Sequence, residues 1–136
     1  INALANDSGY SSASIREKIY CSKYISDDMP KMAGILIYTA SGDAEGSLGG
    51  LVRQGTPGRI ENIIKHAVNE AKWCAADPVC IQSEGQGQDG CNLAACHNCA
   101  LLPETSCENK NMLLDRGLMI GTLDKPSIGY FSCYGD

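Results

Sequence analysis

Cys96-His97-Asn98-Cys99-Ala100-Leu101-Leu102-Pro103-Glu104-Thr105-Ser106-Cys107 is the stretch around which the rest of the chain is read. A tetrahedral zinc site needs four soft or borderline ligands, and a C-x-x-C pair on a turn or at a helix start presents two sulfurs to one side of the metal with little backbone strain. Cys96 and Cys99 form such a pair. Cys107 stands near the expected start of a helix, where the positive end of the helix dipole favours a thiolate. The fourth ligand falls to Cys74, Cys80 or Cys91. Cys80 is favoured because it follows Pro78 in an expected loop, whereas Cys74 falls on the apolar face of a long helix and is explained as core, and Cys91 is the weakest of the three. The expectation is one structural zinc ion held by Cys80, Cys96, Cys99 and Cys107, with Cys74 as the alternative to Cys80.

Eight cysteines also suit four disulfides, the usual framework of a small secreted protein. At 136 residues, however, the chain is long enough to bury a core without stapling, and five of the eight cysteines crowd between Cys80 and Cys107. Hydrophobic residues at 43% and charged residues at 20% place the chain among globular domains and exclude disorder. The longest apolar runs, Gly34 to Tyr38 and Gly117 to Ile120, are far shorter than the roughly 20 residues a bilayer span needs. The opening at Ile1 carries no signal-peptide pattern, and the expectation is a piece of a longer cytoplasmic protein. With 11 Lys and Arg against 16 Asp and Glu, the net charge of −5 argues against a free-standing nucleic-acid binder.

Outward from the cysteines, Ser14 and Glu17 read as a capping box that opens a short helix ending near Cys21. The apolar run from Gly34 to Ala40 reads as a strand buried on both faces, the central strand of a short sheet. A glycine-rich connection then leads to Thr56 and Pro57, a cap and a first helical position. Ile60, Ile63, Ile64, Ala67, Val68, Ala71 and Cys74 recur at helical steps, with Glu61, Asn62, Lys65, Asn69, Glu70 and Lys72 on the solvated face. Residues 77–90 read as an exposed loop. A last helix is expected from Thr105 to Leu118, closed by Gly121, and a strand from Ile128 to Tyr134.

The run Asn92 to Glu108, followed by Leu114-Asp115-Arg116-Gly117, resembles the MrfA zinc-binding domain family of helicase-related bacterial proteins. Ser8 to Glu17, Ile35 to Ser41 with Glu45 to Leu51, and Trp73 to Cys80 are similar to the version found in DrmB-like proteins of the DISARM phage-defence system. The resemblance covers nearly the whole chain. It implies a carboxy-terminal module that works beside a helicase, with zinc on Cys96, Cys99, Cys107 and one of Cys74 and Cys80. It also implies that the module's partners are the rest of the parent chain and a helicase subunit, with DNA reached only through that assembly.

Other chemistries fit less well. The segment from Gly42 to Gly50 lacks the lysine of a phosphate loop, and Asp43 and Glu45 would repel phosphate. Cys96 and Cys99 also suit a thiol–disulfide oxidoreductase, but no strand is expected just before them and Cys107 offers a third ligand. His97, between the two cysteines, reads as surface or as a hydrogen-bonding neighbour of the metal, and His66 as a boundary residue of the long helix. Asp115 and Arg116 with Arg16 and Glu17 read as ion pairs rather than as an acid–base site. The fold expected is one α/β or α+β domain over residues 1–136, a short sheet packed by helices and closed by a zinc-binding lobe. Its expected job is structural, with a hydrolase at Asp43 and Glu45, the oxidoreductase and a DNA-contacting module as the competing readings.

Overall fold

A computed structural model describes residues 1–21, 33–39 and 50–132. Helix α1 (Asn2–Ser8) is followed by a 3-10 turn (Ser12–Ser14) and strand β1 (Ile15–Cys21). Strand β2 (Ala33–Thr39) pairs antiparallel with β1, Ile15 opposite Thr39 and Ile19 opposite Ile35. Helices α2 (Gly50–Gln54), α3 (Arg59–Ala71), α4 (Val79–Gln82) and α5 (Gly117–Ile120) complete the chain, with a last 3-10 turn at Pro126–Ile128. A two-stranded antiparallel sheet with helices is the α+β form of the expected fold.

The apolar core lies at the amino-terminal end. Ala3 and Leu4 of α1, Ile15 of β1 and Ile63 of α3 are buried together, and Ile37, Leu51 and Ala67 pack against them. Helix α3 follows most of its sequence pattern: Ile63 is buried, Ile60, Ala67, Val68 and Ala71 are half-buried and the polar face is exposed, but Ile64, expected on the apolar face, is 44% exposed. Its start differs from the expectation at Thr56 and Pro57. Gly58 sits at φ 85°, which separates α3 from α2, and its N–H donates to the Glu61 carboxylate, which thereby caps the helix. Thr56 instead closes α2 by donating its hydroxyl to the Arg53 carbonyl.

Five other expectations are corrected. The segment after Ser14 is a strand, not a helix. The Ser14 hydroxyl turns back to the Ser11 carbonyl, Glu17 accepts from the backbone N–H of Glu108, and the β-branched Ile15 and Ile19 share one face of the pleat. Strand β2 is not buried on both faces, for Ile35 is 69% exposed; among the described residues it has one neighbouring strand and so cannot be central. No helix runs from Thr105 to Leu118, because Lys110 and Asn111 both take positive φ, and only α5 is helical before Gly121 caps it. The described part of the expected last strand is a turn, whose Tyr130 and Phe131 N–H groups bond the carbonyls of Leu118 and Met119. Residues 133 and 134, like the 42–49 part of the glycine-rich segment with Asp43 and Glu45, lie outside the described residues. Within residues 77–90, α4 interrupts the loop and buries Cys80 and Ile81.

Candidate metal centre

Helix α3 ends at Ala71, so Cys74 is no longer on its face; a turn carries it back toward Cys96. Cys80 lies in the first turn of α4, and Cys96 and Cys99 bracket a turn in which the Cys99 N–H bonds the Cys96 carbonyl. These four sulfurs lie within 4.8 Å of one another. Cys74 and Cys96 are 3.5 Å apart, Cys80 and Cys99 3.8 Å, and Cys96 and Cys99 3.9 Å. Four sulfurs each about 2.3 Å from one zinc ion would lie roughly 3.8 Å apart, so the observed spacing fits a tetrahedral thiolate shell. It is far from the ~2.05 Å of a disulfide, and none of the described cysteines is disulfide-bonded.

The donor set is also the right chemistry. Backbone N–H groups point at sulfur, from Ala76 to Cys74 Sγ and from Cys96 to Cys99 Sγ, both at 3.4 Å, and such bonds favour thiolate over thiol. Burial works against ionisation of Cys96, but the N–H of Asn98, the Cys74 thiol and the N–H of Cys99 outweigh it and lower this thiol to about 7. Burial pushes the Cys74 and Cys80 thiols up. One easily ionised thiol among reluctant ones is what a crowded set of like charges produces, and a divalent cation at the centre would relieve it.

The expected ligands are thus distributed unevenly. Cys80, Cys96 and Cys99 come together, and the residue that joins them is Cys74 rather than Cys107. Cys107 is half-buried, and its sulfur accepts the Asn111 N–H at 3.3 Å. Its neighbourhood serves another purpose: Ser106 donates its hydroxyl to the Ser12 carbonyl, and Glu108 pairs with Lys18 of β1, tying this turn to the sheet. Cys91 is half-buried with its thiol toward the Asp89 carbonyl. His97 is exposed, and His66 lies 3.4 Å from Glu70 on the surface of α3. Sequence reasoning held Cys74 only as the alternative to Cys80, because the helical period of α3 extends past the helix's real end. The signal that could have found it is the paired arrangement of two cysteines before and two after the polar segment 82–92.

Arg116 is the functional neighbour that spacing did not reveal. It is 2% exposed and forks onto Asp77, Nη1 to Oδ2 at 3.0 Å and Nη2 to Oδ1 at 2.5 Å. The hydrogen bond from Arg116 holds the Asp77 carboxyl below the usual carboxylate range. Breaking one side of such a buried pair leaves an uncompensated charge, about 3–5 kcal/mol. Asp115 accepts from the Leu118 N–H, so Asp115, Arg116 and Glu17 are all engaged in holding backbone or one another in place.

A small α+β domain whose second centre is a cluster of four thiols is a metal-binding domain. The family model of the MrfA Zn-binding domain matches residues 1–100, and the chain belongs to that family. Over 131 residues the chain is 44% identical to the DISARM protein DrmB of Bacillus paralicheniformis, an alignment that covers 96% of this chain and 22% of that protein. The matched residues 1–100 include all four clustered cysteines and stop before Cys107 and Arg116. Among the described residues no helix is long and apolar enough to cross a membrane.

Proposed function

We propose that this domain holds one structural zinc ion on Cys74, Cys80, Cys96 and Cys99, and that the ion takes the place of a second hydrophobic core. The observation that carries the reading is the mutual approach of four sulfurs at tetrahedral spacing. The buried apolar residues beside these cysteines in the chain are few: Ala94 and Ala95, which are small, and Ile81 next to Cys80. Free energy of metal binding is then free energy of folding for the lobe. A shell of four thiolates is closed and leaves no position for a reacting water, which fits a non-catalytic module. Reduced thiols suit a reducing compartment, so the reading includes a cytoplasmic setting.

The relative's description as a DISARM protein supports a place within a larger defence protein; in this reading residues 1–136 form one domain of it, near its carboxy terminus. There the domain presents its surface to the rest of the parent chain and a helicase partner, and meets DNA only through that assembly. Elemental analysis and sulfur- and zinc-edge absorption spectroscopy on the purified chain test the core of this reading. One zinc per chain with an all-sulfur shell is expected. A folded, metal-free protein, or one that cycles the Cys96 and Cys99 pair with dithiols and takes up no zinc, would replace it with the oxidoreductase reading.

A further inference from the structure

Arg116 belongs to no cysteine motif and lies beyond the residues the family model matches, yet one buried cation ties together every segment that carries a clustered cysteine. Its Nε donates to the Ala94 carbonyl at 2.8 Å, two residues before Cys96. Its Nη1 reaches the Ala71 carbonyl at 3.3 Å, the last residue of α3, three residues before Cys74. The fork onto Asp77 extends this reach, because Asp77 Oδ2 accepts the N–H of Cys74 at 2.9 Å and Oδ1 the N–H of Ile81, next to Cys80, at 3.0 Å. The Ala94 carbonyl, held by Arg116, also faces Cys80 Sγ at 3.7 Å. Arg116 is itself fixed by its backbone N–H to the Leu93 carbonyl at 3.2 Å, part of a parallel bridge in which Leu93 N–H bonds the Leu114 carbonyl.

We infer that Arg116, acting through Asp77, is a positioning residue for the metal: it sets the approach of the Cys74, Cys80 and Cys96 segments, so the metal-binding unit extends past residue 100 to include Arg116. The inference rests on the zinc reading above. The planar guanidinium is what makes the arrangement possible, since it serves two carbonyls and both oxygens of one carboxylate at once, whereas an ammonium is a point donor that cannot span them. Neighbours that orient metal ligands typically change metal affinity by about 10–100-fold when replaced, which sets the scale of the effect.

The test uses the zinc-loaded full chain and its R116Q, R116K and D77N variants. Zinc transfer to an excess of a chromogenic chelator is followed in time, and thermal unfolding is recorded for the loaded and the stripped form of each. R116Q and D77N are expected to release zinc at least about tenfold faster than the unaltered chain. R116K should behave like R116Q, because charge without the fork does not hold three segments. The double variant should release zinc within roughly twofold of the faster single one, as residues that act as a unit do. The gap in Tm between loaded and stripped forms should narrow in each variant, since a metal that binds more weakly adds less stability. A pair that merely supports the fold would lower both Tm values alike and leave the release rate unaltered, and that result would overturn the inference. Should R116Q fail to fold, R116K decides by the same rate, and release at the unaltered rate rejects positioning. A wild-type chain that holds no zinc defeats the zinc reading and this one together. A loaded wild type whose variants release at its own rate defeats this one alone.

Discussion

The sulfurs of Cys74 and Cys96, 22 residues apart in the chain, stand 3.5 Å from each other, closer than the 3.9 Å within the C-x-x-C pair. Cys74 is therefore expected to be as necessary to zinc as the C-x-x-C pair. Single Ser replacements of Cys74, Cys80, Cys96 and Cys99 should each abolish stoichiometric zinc, because a three-thiolate remnant loses most of the binding free energy that folds the lobe. Cys107→Ser and Cys91→Ser should keep one zinc per chain. Zinc content by elemental analysis on the six variants checks this, and a zinc-free Cys107→Ser beside a zinc-loaded Cys74→Ser would return the fourth ligand to Cys107.

The apolar core makes a separate demand. Ile15 is fully buried where α1, α3 and β1 meet, whereas Ile19, on the same face of β1, is 55% exposed. Ile15→Ala should destabilise the chain by about 2–5 kcal/mol through lost burial and the cavity left behind. Ile19→Ala should change stability by no more than about 0.5 kcal/mol. Urea unfolding of the zinc-loaded protein reads both. Equal losses at the two positions would show that β1 is covered by something outside the described residues.

How much of this was legible beforehand depends on where the information lay. Helix α3 was readable because Ile60, Ile63, Ala67, Val68 and Ala71 repeat at one period opposite a polar face, so a single local rule decides it, although Ile64 is exposed and Cys74 lies past its end. Three of the four clustered cysteines were readable from the C-x-x-C spacing and from Pro78. Cys74 stood only as the alternative to Cys80, because the period that marks α3 does not mark where α3 stops; Lys72 and Trp73 turn the chain by contacts that spacing does not record. Strand β1 was misread as a helix because Ser14 and Glu17 fit a capping box, while their real partners, the Ser11 carbonyl and the Glu108 N–H, include one from a segment 91 residues away. Arg116 was legible only as a member of an ion pair, for the same reason: its partners Ala71, Asp77 and Ala94 are brought to it only by the tertiary fold.

Gly121 tests the carboxy-terminal corner. It sits at φ 83°, and a Cβ there would run into the backbone of Pro126, so no side chain fits without moving that turn. Gly121→Ala is expected to destabilise the chain by about 1–3 kcal/mol from backbone strain and overpacking together. Gly9, also at positive φ but with open space around its Cβ position, should lose less, about 1 kcal/mol. A comparison of the two Ala variants by thermal unfolding separates conformational strain from steric conflict.

Nucleic-acid affinity should be weak for this chain by itself. The net charge is −5, Lys18 is paired with Glu108 and Arg116 is buried against Asp77, so two of the 11 cations are already committed. Titration with single-stranded and duplex DNA at about 0.15 M salt, where the Debye length is roughly 8 Å, should show no submicromolar binding. Submicromolar affinity that falls steeply with salt would reveal a concentrated basic patch and favour a DNA-contacting module.

The pH behaviour of the stripped protein follows from the unequal thiols. Burial raises Cys74 and Cys80, while at Cys96 the neighbouring N–H groups and thiols overcome burial and bring the value from 9.0 to about 7. A folded value below the unfolded one means that the Cys96 thiolate stabilises the stripped fold above the ordinary thiol range near pH 8.5, and that this contribution is lost as pH falls through about 7. Iodoacetamide labelling of chelator-treated protein, mapped by mass spectrometry, should therefore accelerate at Cys96 as pH rises through about 7, because only the thiolate attacks. Cys80 should stay unlabelled over the same window, its thiol being both buried and pushed up. Zinc-loaded protein should label Cys96 slowly at every pH, since the metal holds the lone pair that would react. Faster labelling at Cys80 than at Cys96 would mean that the N–H groups of Asn98 and Cys99 do not face the Cys96 sulfur once the metal is gone. The turn between Cys96 and Cys99 would then be organised by zinc rather than prepared for it.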